Sequence, residues 1–416
     1  MPRSISIRSP EAPVRCSIDL PRSKSIANRA LMLATLAGDL SCVREQGDAE
    51  DTRILYRLLG ERPRVMHCGA GGTTFRFLLA WACVQEGAAH ILTGDARLLE
   101  RPHDDLVDAL RALGAHIERV AEGYLVKGRH LSGGSVTLDS PVSSQFISAL
   151  LLIAPRMEEG LRLRWTGRRL SAPYVRMTVK CLEHFGAKVV EEGDTIRTHP
   201  SALRPIPMEV PPDWSAAAFW FAIAALMDDA EIMLPGLRTD GWQGDEAVAR
   251  VLSPRVLAEP VPDGMLIRSR TGARDLSTVL DLVDTPDLFQ PLAVTYAALG
   301  MPVEVAGLHN LGLKETDRLY AITESLERCG VPSSVDGGTW YCPGGMRIAV
   351  PPGAVFATHN DHRMAMGLAL LSLCAGSINL NDADVVGKSY PGFWEDMRTA
   401  GFGVDVSPRA DEQHRG

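Results

Sequence analysis

The sequence predicts an α/β protein of two domains, each built from three copies of a helix–hairpin unit with helices inside and sheets around them. The chain has 416 residues, more than a single hydrophobic core usually organises. Its helical segments repeatedly stop at a glycine, and a short alternating strand then follows. With 45% apolar and 23% charged residues, its composition is that of a globular protein. These three observations together predict the fold class.

Six segments follow the pattern of helix, stop and strand. In chain order they are residues 52–60, 106–117, 177–189, 245–257, 321–331 and 393–402. The first is a short form, and the fourth is degenerate because Pro254 disrupts its stop. Six similar units divide evenly into two domains of three copies each.

The chain is expected to cross between the domains twice, near residues 19–21 and in the charged turn at residues 227–232. This predicts one domain of residues 21–230 and a discontinuous second domain of residues 1–20 plus 231–416. The first strand would then belong with the C-terminal half. The polar tail after Pro408 is expected to be disordered.

Charge and hydropathy exclude several classes of protein. A formal net charge of −8 argues against a nucleic-acid surface, which needs a basic domain or stripe. The longest apolar runs, at residues 148–154 and 219–227, are too short to span a bilayer, and the first residues lack the apolar core of a signal peptide. The eight cysteines are scattered without a Cys-x-x-Cys pair, so we expect reduced thiols, no metal site and a cytoplasmic protein.

An anion-binding pattern opens the first long helix, within residues 21–37. Ser23, Lys24 and Ser25 lie where the helix begins, and Arg29 follows one turn later. Free backbone N–H groups, hydroxyls and an ammonium group would converge at the positive end of the helix, which suits a phosphate or a carboxylate. A capped helix with solvated basic residues is the alternative.

Similar helix starts recur along the chain, and their number favours anion binding over simple capping. They comprise a glycine-rich turn at residues 69–76, Arg101 with Pro102 at a first helical position, and polar starts at residues 141–146, 171–176, 213–218, 284–291, 310–319, 359–366 and 386–394. The cations at these starts are Lys24, Arg29, Arg101, Lys314, Arg318, Arg363 and Lys388. If the helices point their positive ends at an interdomain cleft, the cleft becomes a site for two anionic substrates.

Seven motifs, in the same order, resemble those of the 5-enolpyruvylshikimate-3-phosphate synthases, a family of enolpyruvyl transferases. They are Ser-Lys-Ser-x-x-Asn-Arg, Gly-x-x-Gly-Thr, Glu-Arg-Pro, Ser-Ser-Gln-Phe, Lys-Glu-Thr-Asp-Arg, Asn-Asp-His-Arg-Met-Ala-Met and Lys-Ser-Tyr-Pro, between residues 21 and 394. The resemblance implies a two-domain inside-out α/β barrel, with three βαβαββ repeats per domain and the active site in the cleft. Residues 21–230 would form the shikimate-3-phosphate side, and residues 1–20 plus 231–416 the phosphoenolpyruvate side.

The resemblance also implies an activity and its site residues. The enolpyruvyl group of phosphoenolpyruvate would pass to the 5-hydroxyl of shikimate 3-phosphate, through a tetrahedral intermediate that releases phosphate, on the route to aromatic amino acids. Shikimate 3-phosphate would be held by Lys24, Ser25, Arg29, Ser143, Ser144, Gln145, Ser171, Asp287, Asn310 and Lys314, with Tyr174 facing its ring. Phosphoenolpyruvate would contact Lys24, Gly72, Arg101, Gln145, Arg318, Arg363 and Lys388.

Catalytic roles follow from the same resemblance. Asp287 would be the base near the 5-hydroxyl, and Glu315 the acid on the phosphoenolpyruvate side, while Lys24 would share in proton transfer to the departing phosphate. A water-poor cleft would raise the pKa of an acidic carboxyl and nearby cations would lower it, so the balance stays open. We expect no metal, no cofactor, no nucleic-acid or membrane partner, and a monomer.

Three positions depart from the pattern of the family. Ala70 stands where Asn is common, Ala172 where Lys is common, and Phe77 where Pro is common. Gly72 is retained, and a larger residue there would crowd the phosphoenolpyruvate pocket. We therefore expect ordinary sensitivity to glyphosate, which occupies that pocket.

Two alternatives stay open. The UDP-N-acetylglucosamine enolpyruvyl transferases share the fold, but at the first motif that family has Lys-Asn, where this chain has Lys-Ser. They also carry a cysteine in a mobile loop, where residues 98–101 of this chain have none. A non-catalytic anion-binding relative would need the cations but not the carboxylates of Asp287 and Glu315.

Overall fold

The computed structural model describes residues 3–272 and 274–407, so the tail after Pro408 lies outside the described residues. The chain divides into a discontinuous unit, Met1–Pro21 with Pro212–Gly416, and a continuous unit, Arg22–Pro211. The second boundary thus falls at Pro211–Pro212 and not at residue 230. The reason is that the apolar helix Trp214–Leu226 packs into the core of the discontinuous unit.

Fourteen helices lie in the described residues, apart from short 3-10 turns. They are α1 (Lys24–Ala37), α2 (Glu50–Glu61), α3 (Gly72–Cys83), α4 (Ala96–Glu100), α5 (Asp104–Ala112), α6 (Ser144–Ile153), α7 (Ala172–His184), α8 (Trp214–Leu226), α9 (Ala247–Val251), α10 (Phe289–Leu299), α11 (Arg318–Arg328), α12 (His362–Ala369), α13 (Ser372–Ala375) and α14 (Phe393–Thr399).

The same residues contain twenty-two strands. They are β1 (Ile5–Arg8), β2 (Val14–Ser17), β3 (Val43–Arg44), β4 (Val65–His67), β5 (Ala89–Thr93), β6 (His116–Val120), β7 (Gly123–Lys127), β8 (Gly134–Asp139), β9 (Leu161–Thr166), β10 (Val189–Glu192), β11 (Thr195–Thr198), β12 (Met208–Glu209), β13 (Ala230–Pro235), β14 (Val256–Val261), β15 (Gly264–Ser269), β16 (Val279–Asp281), β17 (Val303–Ala306), β18 (Ser334–Asp336), β19 (Thr339–Cys342), β20 (Val355–Phe356), β21 (Ser377–Leu380) and β22 (Gly403–Val406).

Five four-stranded sheets share one pairing pattern, with one parallel and two antiparallel pairs each. The continuous unit contains β4-β5-β7-β6 and β10-β11-β9-β8, together with a two-stranded parallel sheet, β12-β3. The discontinuous unit contains β16-β17-β19-β18, β14-β15-β13-β2 and β20-β21-β1-β22. The N-terminal strands β1 and β2 thus complete two sheets made mainly from the C-terminal half. The mixed α/β fold is therefore an internally repeated one.

Helices form the most buried layer of each unit. In the continuous unit α3 and α6 pack against each other, and nearly every residue of both is buried. In the discontinuous unit α8 is apolar on all faces and packs against α10. A helix that is hydrophobic all round belongs inside a protein. Among the helices of the described residues, none is both long enough and apolar enough to cross a lipid bilayer.

One predicted glycine stop is wrong. Helix α2 runs through Gly60 and ends at Glu61, and Arg62 follows in the left-handed conformation at φ 50°. Arg62 precedes Pro63, whose ring disfavours helical geometry in the residue before it. The proline therefore ends this helix two residues later than the glycine predicts.

Candidate active site

Helices of the continuous unit begin at predicted site residues. They start at Lys24 (α1), at Gly72 (α3), at Ser144 (α6) and, directly after Ser171, at Ala172 (α7). The hydroxyl of Ser143 caps α6 by accepting a hydrogen bond from the N–H of Gln145 at 3.3 Å. Ser171 has a left-handed backbone at φ 59°, a strained conformation for a residue other than glycine. First-turn N–H groups lack intrahelical acceptors, so each start offers donors to an anion.

Lys24 forms an ion pair with Asp51 in the first turn of α2. Its Nζ lies 2.9 Å from Oδ2 of Asp51, and both side chains are largely buried. Ser25, the next residue of α1, is half-buried. The sequence did not indicate Asp51 as a site residue. The only sequence signal for Asp51 is its position at a helix start, and a carboxylate there usually serves to stabilise the helix dipole.

Arg101 lies against Gly72. A Cβ on Gly72 would come within 2.6 Å of Nη1 of Arg101, so only glycine fits without moving the guanidinium. The sequence predicts that Arg101 lies at a helix start, with Pro102 at the first helical position. This prediction is wrong, because both residues lie in the linker between α4, which ends at Glu100, and α5, which begins at Asp104. His103 Nε2 donates to the carbonyl of Leu98 at 3.0 Å, which ties this linker back to α4.

A buried network links α3 to α6. Nη1 of Arg76 donates to Oε1 of Gln145 at 2.6 Å, and Nη2 donates to the carbonyl of Pro102 at 3.1 Å. Nε2 of Gln145 donates to the hydroxyl of Thr73 at 2.9 Å. Arg76, absent from the predicted site residues, thus fixes the orientation of Gln145 and the linker that carries Arg101.

Arg29 is 2% exposed and braces three helices. It donates to Thr178 Oγ1 at 2.7 Å, to the carbonyl of Ser25 at 2.8 Å, and to Ser148 Oγ and the carbonyl of Tyr174 at 3.1 Å each. Burial lowers the pKa of Arg29 to about 10, so it stays charged at neutral pH. A guanidinium has five N–H groups, so one remains on Nη1 beyond these bonds to the described residues.

The family departure at Phe77 has a structural consequence. The guanidinium carbon of Arg29 lies 5.4 Å from the centre of the Phe77 ring and 5.9 Å from that of Tyr174. Cations stack favourably on aromatic faces, so Phe77 supports the buried Arg29.

Asp287 is the centre of the cluster in the discontinuous unit. Its Oδ2 accepts from Nη2 of Arg363 at 3.0 Å, and its Oδ1 accepts from Nη1 of Arg318 at 3.0 Å. Nζ of Lys314 lies 3.8 Å from Oδ1. Three cations therefore surround one carboxylate, in the 3-10 turn Pro286–Leu288 that leads into α10.

Arg318 joins that carboxylate to two others. Its Nε lies 2.7 Å from Oδ2 of Asp361, and its Nη2 lies 3.1 Å from Oε2 of Glu315. Asp361 is fully buried and caps α12 by accepting from the N–H of Arg363 at 2.9 Å. Asp361 lies within the motif Asn-Asp-His-Arg, but only its distance from Arg318 shows that it orients a site residue.

Electrostatics fix the charges of this cluster. Burial would raise the pKa of Asp287, but the nearby cations, led by Arg363, outweigh it and hold that pKa well below its usual range. Burial would lower the pKa of Arg318, whereas the carboxylates around it, led by Asp361, raise it. Asp287 is therefore ionised across the neutral range and able to accept a proton.

Two further predicted residues lie in the discontinuous unit. Nζ of Lys388 donates to the carbonyl of Asn360 at 2.7 Å and to its Oδ1 at 2.9 Å. Asn360 is left-handed at φ 55°, directly before Asp361. Asn310 is buried, and its Oδ1 has no hydrogen-bond partner among the described residues.

The predicted residues and the three that the sequence missed, Asp51, Arg76 and Asp361, thus fall into two sets, one in each unit. The continuous-unit cluster consists of Lys24, Asp51, Gly72, Arg76, Arg101 and Gln145, with Ser25, Arg29, Ser143, Ser144 and Ser171 on the same helices. The discontinuous-unit cluster consists of Asp287, Lys314, Glu315, Arg318, Asp361 and Arg363, with Asn310 and Lys388 on neighbouring segments. In residues 3–272 and 274–407, no group of three or more His, Cys, Asp or Glu side chains could hold a metal ion.

Sequence comparisons give a consistent family. The sequence model described as EPSP synthase (3-phosphoshikimate 1-carboxyvinyltransferase) matches residues 59–397. A 3-phosphoshikimate 1-carboxyvinyltransferase of Bacteroides fragilis is 38% identical over 398 residues, which cover 94% of this chain and 97% of that protein. A protein of the same name from Methanospirillum hungatei is 32% identical, covering 93% of this chain and 96% of its own.

Solved structures show the same fold. EPSP synthase from Acinetobacter baumannii superposes with a TM-score of 0.76 at 22% identity, covering 98% of this chain and all of that one. The enolpyruvyl transferase NikO from Streptomyces tendae gives a TM-score of 0.72 at 16% identity, again with 98% and 100% coverage.

Proposed function

The chain belongs to the EPSP synthase family, and we propose that its two clusters carry out transfer of the enolpyruvyl group of phosphoenolpyruvate to the 5-hydroxyl of shikimate 3-phosphate, with release of phosphate. One observation carries the assignment of roles. An ionised carboxylate, Asp287, is held by Arg318 and Arg363 at 3.0 Å each, which gives a base and cations for two anionic substrates in one place.

The continuous-unit cluster suits shikimate 3-phosphate. Its phosphate would lie at the starts of α6 and α7, where Ser143, Ser144 and Ser171 add hydroxyls to free N–H groups. Lys24 and Ser25 would bind at the start of α1, and Gln145 is held in place by Arg76. Arg29 would offer its remaining Nη1 N–H while it positions Tyr174 against the ring of the substrate. Asp287, Asn310 and Lys314 would contact the same substrate from the other cluster.

Phosphoenolpyruvate is an anion that arginines can bind with two parallel hydrogen bonds. Arg101 would bind it over Gly72, where the missing side chain leaves space, with Lys24 and Gln145 nearby. Arg318, Arg363 and Lys388 would contact it from the discontinuous unit. The buried carboxylate of Asp361 supports this role, because it fixes the guanidinium of Arg318 in place.

The reaction needs two proton transfers for addition and two for elimination. Glu315 would protonate the methylene carbon while the 5-hydroxyl oxygen bonds to the neighbouring carbon, and Asp287 would take the hydroxyl proton. In elimination the new methyl group returns a proton to Glu315, the carbon–oxygen bond to phosphate breaks, and Lys24 or protonated Asp287 supplies a proton to the phosphate. Holding both substrates in register contributes to the rate beyond these transfers.

Several broader features belong to the same proposal. We infer that each unit is an inside-out α/β barrel of three βαβαββ repeats, since five sheets share one pairing pattern. The active site would lie in a cleft between the continuous and the discontinuous unit. The eight cysteines are free thiols, which supports a reducing, cytoplasmic compartment. A monomer is expected, and gel filtration would test it.

The two alternatives are not favoured. Relatives at 38% and 32% identity carry the shikimate name, so a UDP-N-acetylglucosamine acceptor has no support among them. A binding protein would need no carboxylate between its cations, yet Arg318 contacts Asp287 and Glu315 at once.

The test is phosphate release from phosphoenolpyruvate with shikimate 3-phosphate, run beside the same assay with UDP-N-acetylglucosamine. We expect release with shikimate 3-phosphate alone. Asp287→Asn should lower kcat by about 100-fold or more, since a lost general base costs 10²- to 10⁴-fold. Asp263→Asn, at an exposed turn of the same unit, is the matched control and should keep full activity. Release with the sugar nucleotide alone, or full activity of Asp287→Asn, would contradict the proposal.

A further inference from the structure

A second buried carboxyl, Asp245, lies in the discontinuous unit outside its cluster. It stands in the short 3-10 helix Gly244–Glu246 and is 3% exposed. The hydroxyl of Ser215 donates a hydrogen bond to its Oδ2. Its Oδ1 is buried and has no hydrogen-bond partner among the described residues. Only one of the two carboxyl oxygens of Asp245 has a hydrogen-bond partner among the described residues, and burying an ionised carboxylate in this state is energetically unfavourable.

The start of α8 holds this carboxyl in place. Gln243 accepts from the N–H of Trp214 at 3.0 Å and donates to the carbonyl of Pro212 at 2.8 Å. Asp213 caps α8 by accepting from the N–H of Ser215 at 2.8 Å. The 3-10 turns Gly244–Glu246 and Pro286–Leu288, the second of which carries Asp287, both pack against α8. One helix therefore supports Asp245 and the proposed base.

The charged groups of the site influence the ionisation of Asp245. Burial and the charge of Asp287 raise its pKa, as does Asp213, while Arg363 and the hydrogen bond from Ser215 lower it. The net result is a pKa of about 7. Asp245 would therefore change charge within the pH range in which the reaction runs.

We propose that Asp245 is a positioning residue that sets the basicity of Asp287 through its own charge. The inference rests on the proposed function, in which Asp287 accepts the hydroxyl proton. An anionic Asp245 disfavours a second negative charge on Asp287 and shares the attraction of Arg363. Both effects make Asp287 accept a proton more readily, so kcat rises as Asp245 loses its proton.

The experiment is the pH profile of kcat for phosphate release with saturating substrates. The wild-type protein should show a rising limb near the pKa of Asp245, about 7. Asp245→Asn should lose that limb, so its kcat matches the wild type at low pH and is about three- to tenfold lower at high pH, as a modest change in base strength gives. Asp263→Asn, an exposed aspartate, should keep the limb.

A second variant tests the same inference without removing the carboxyl. Ser215→Ala deletes a hydrogen bond that favours the ionised form of Asp245. The pKa of Asp245 then rises, and the limb should move to higher pH while the plateau stays. A role in folding alone would lower protein yield or stability, but it would not move a limb along the pH axis.

Two outcomes separate the inference from the proposed function. A limb that persists at the same pH in Asp245→Asn and Ser215→Ala would overturn the role of Asp245. The phosphate groups of the substrates titrate near pH 6 and would give such a limb. A wild-type protein that releases no phosphate with shikimate 3-phosphate at any pH would instead overturn the proposed function and, with it, this role.

Discussion

At the scale of single residues, the contact between Gly72 and Arg101 makes a sharp prediction. A Cβ on Gly72 would lie 2.6 Å from Nη1 of Arg101, so Gly72→Ala must displace that guanidinium. The atoms that must move are the end of a flexible side chain, so the substitution should cost little folding stability. The displaced guanidinium would weaken its hydrogen bonds to phosphoenolpyruvate, and a loss of about 1.4 kcal/mol of binding free energy is a factor of ten. We therefore expect the KM for phosphoenolpyruvate to rise about tenfold, with the KM for shikimate 3-phosphate unchanged. Steady-state kinetics with each substrate varied in turn would measure both.

The control for that substitution is Gly60→Ala in α2. A Cβ on Gly60 would meet nothing nearer than Leu40 Cδ1 at 4.0 Å, so both KM values should stay as in the wild type. Glyphosate sensitivity, expected from the retained Gly72, stays a prediction, and Gly72→Ala should raise its inhibition constant in step with the KM. Equal KM values for the wild type and Gly72→Ala would show that Arg101 does not bind phosphoenolpyruvate.

Single residues also show where sequence reasoning stops. Lys24 and Arg318 could be singled out because a cation at a helix start is opposed by the helix dipole, which points to a bound anion. Asp361 and Asp51 could not, since a carboxylate at a helix start is ordinarily a cap. Their roles follow from distances to Arg318 and Lys24, which are far away in the sequence.

At the scale of secondary-structure elements, the pairing of strand β1 predicts that the stability of the discontinuous unit depends on the N-terminal residues. It lies between β21 and β22, with Ile7 opposite Ile378 and Val404. Ile7 is fully buried, so Ile7→Ala should lower the free energy of unfolding by about 2–5 kcal/mol. Ser6→Ala, on the half-buried opposite face of the strand, should cost far less. Urea unfolding followed by circular dichroism would measure both, and equal midpoints would contradict this view of the sheet.

The elements themselves were largely predictable, and their ends were less so. A glycine after an amphipathic helix is a local signal, and Gly38 ends α1 in the left-handed conformation with its N–H bonded to the carbonyls of Ala34 and Thr35. At Gly60 the local signal failed because Pro63 ends the helix instead. The linker at Arg101 was misplaced because His103 holds it by a bond to a backbone carbonyl, which no sequence pattern indicates.

At the scale of the whole molecule, repetition made the fold class predictable and the unit boundary harder to place. Six helix–stop–strand copies are visible in the sequence, whereas a shared pattern of parallel and antiparallel strand pairs needs coordinates. The charged turn at residues 227–232 looked like a crossing, but hydrophobic α8 precedes it and joins the discontinuous core. Because α8 is apolar on all faces, its hydrophobic periodicity does not show which of the two cores the helix joins.

The stability of the whole protein should respond to pH through Asp245. Its pKa is raised from 3.8 to about 7 on folding, so the folded state holds a proton that the unfolded state has released between these values. Stability therefore falls as pH rises through this window and then levels off. Asp287 has the opposite sign: its lowered pKa gives stability above the unfolded value of 3.8 that is lost as pH falls below it.

Asp245→Asn should therefore raise the melting temperature of the protein, by an amount that depends on pH. Near pH 3 the aspartic acid is largely protonated in both states, so the amide should melt at nearly the same temperature as the wild type. Near pH 8 the wild type must bury a charge that the amide lacks, and the variant should melt several degrees higher, as about 1 kcal/mol per 2–4 °C implies for a unit of this size. Scanning calorimetry of both proteins across this range would measure the difference, with Asp263→Asn as the exposed control. A constant offset at every pH would mean that Asp245 is ionised throughout and that burial is compensated by Arg363. The same result would remove the titration on which its influence over Asp287 depends.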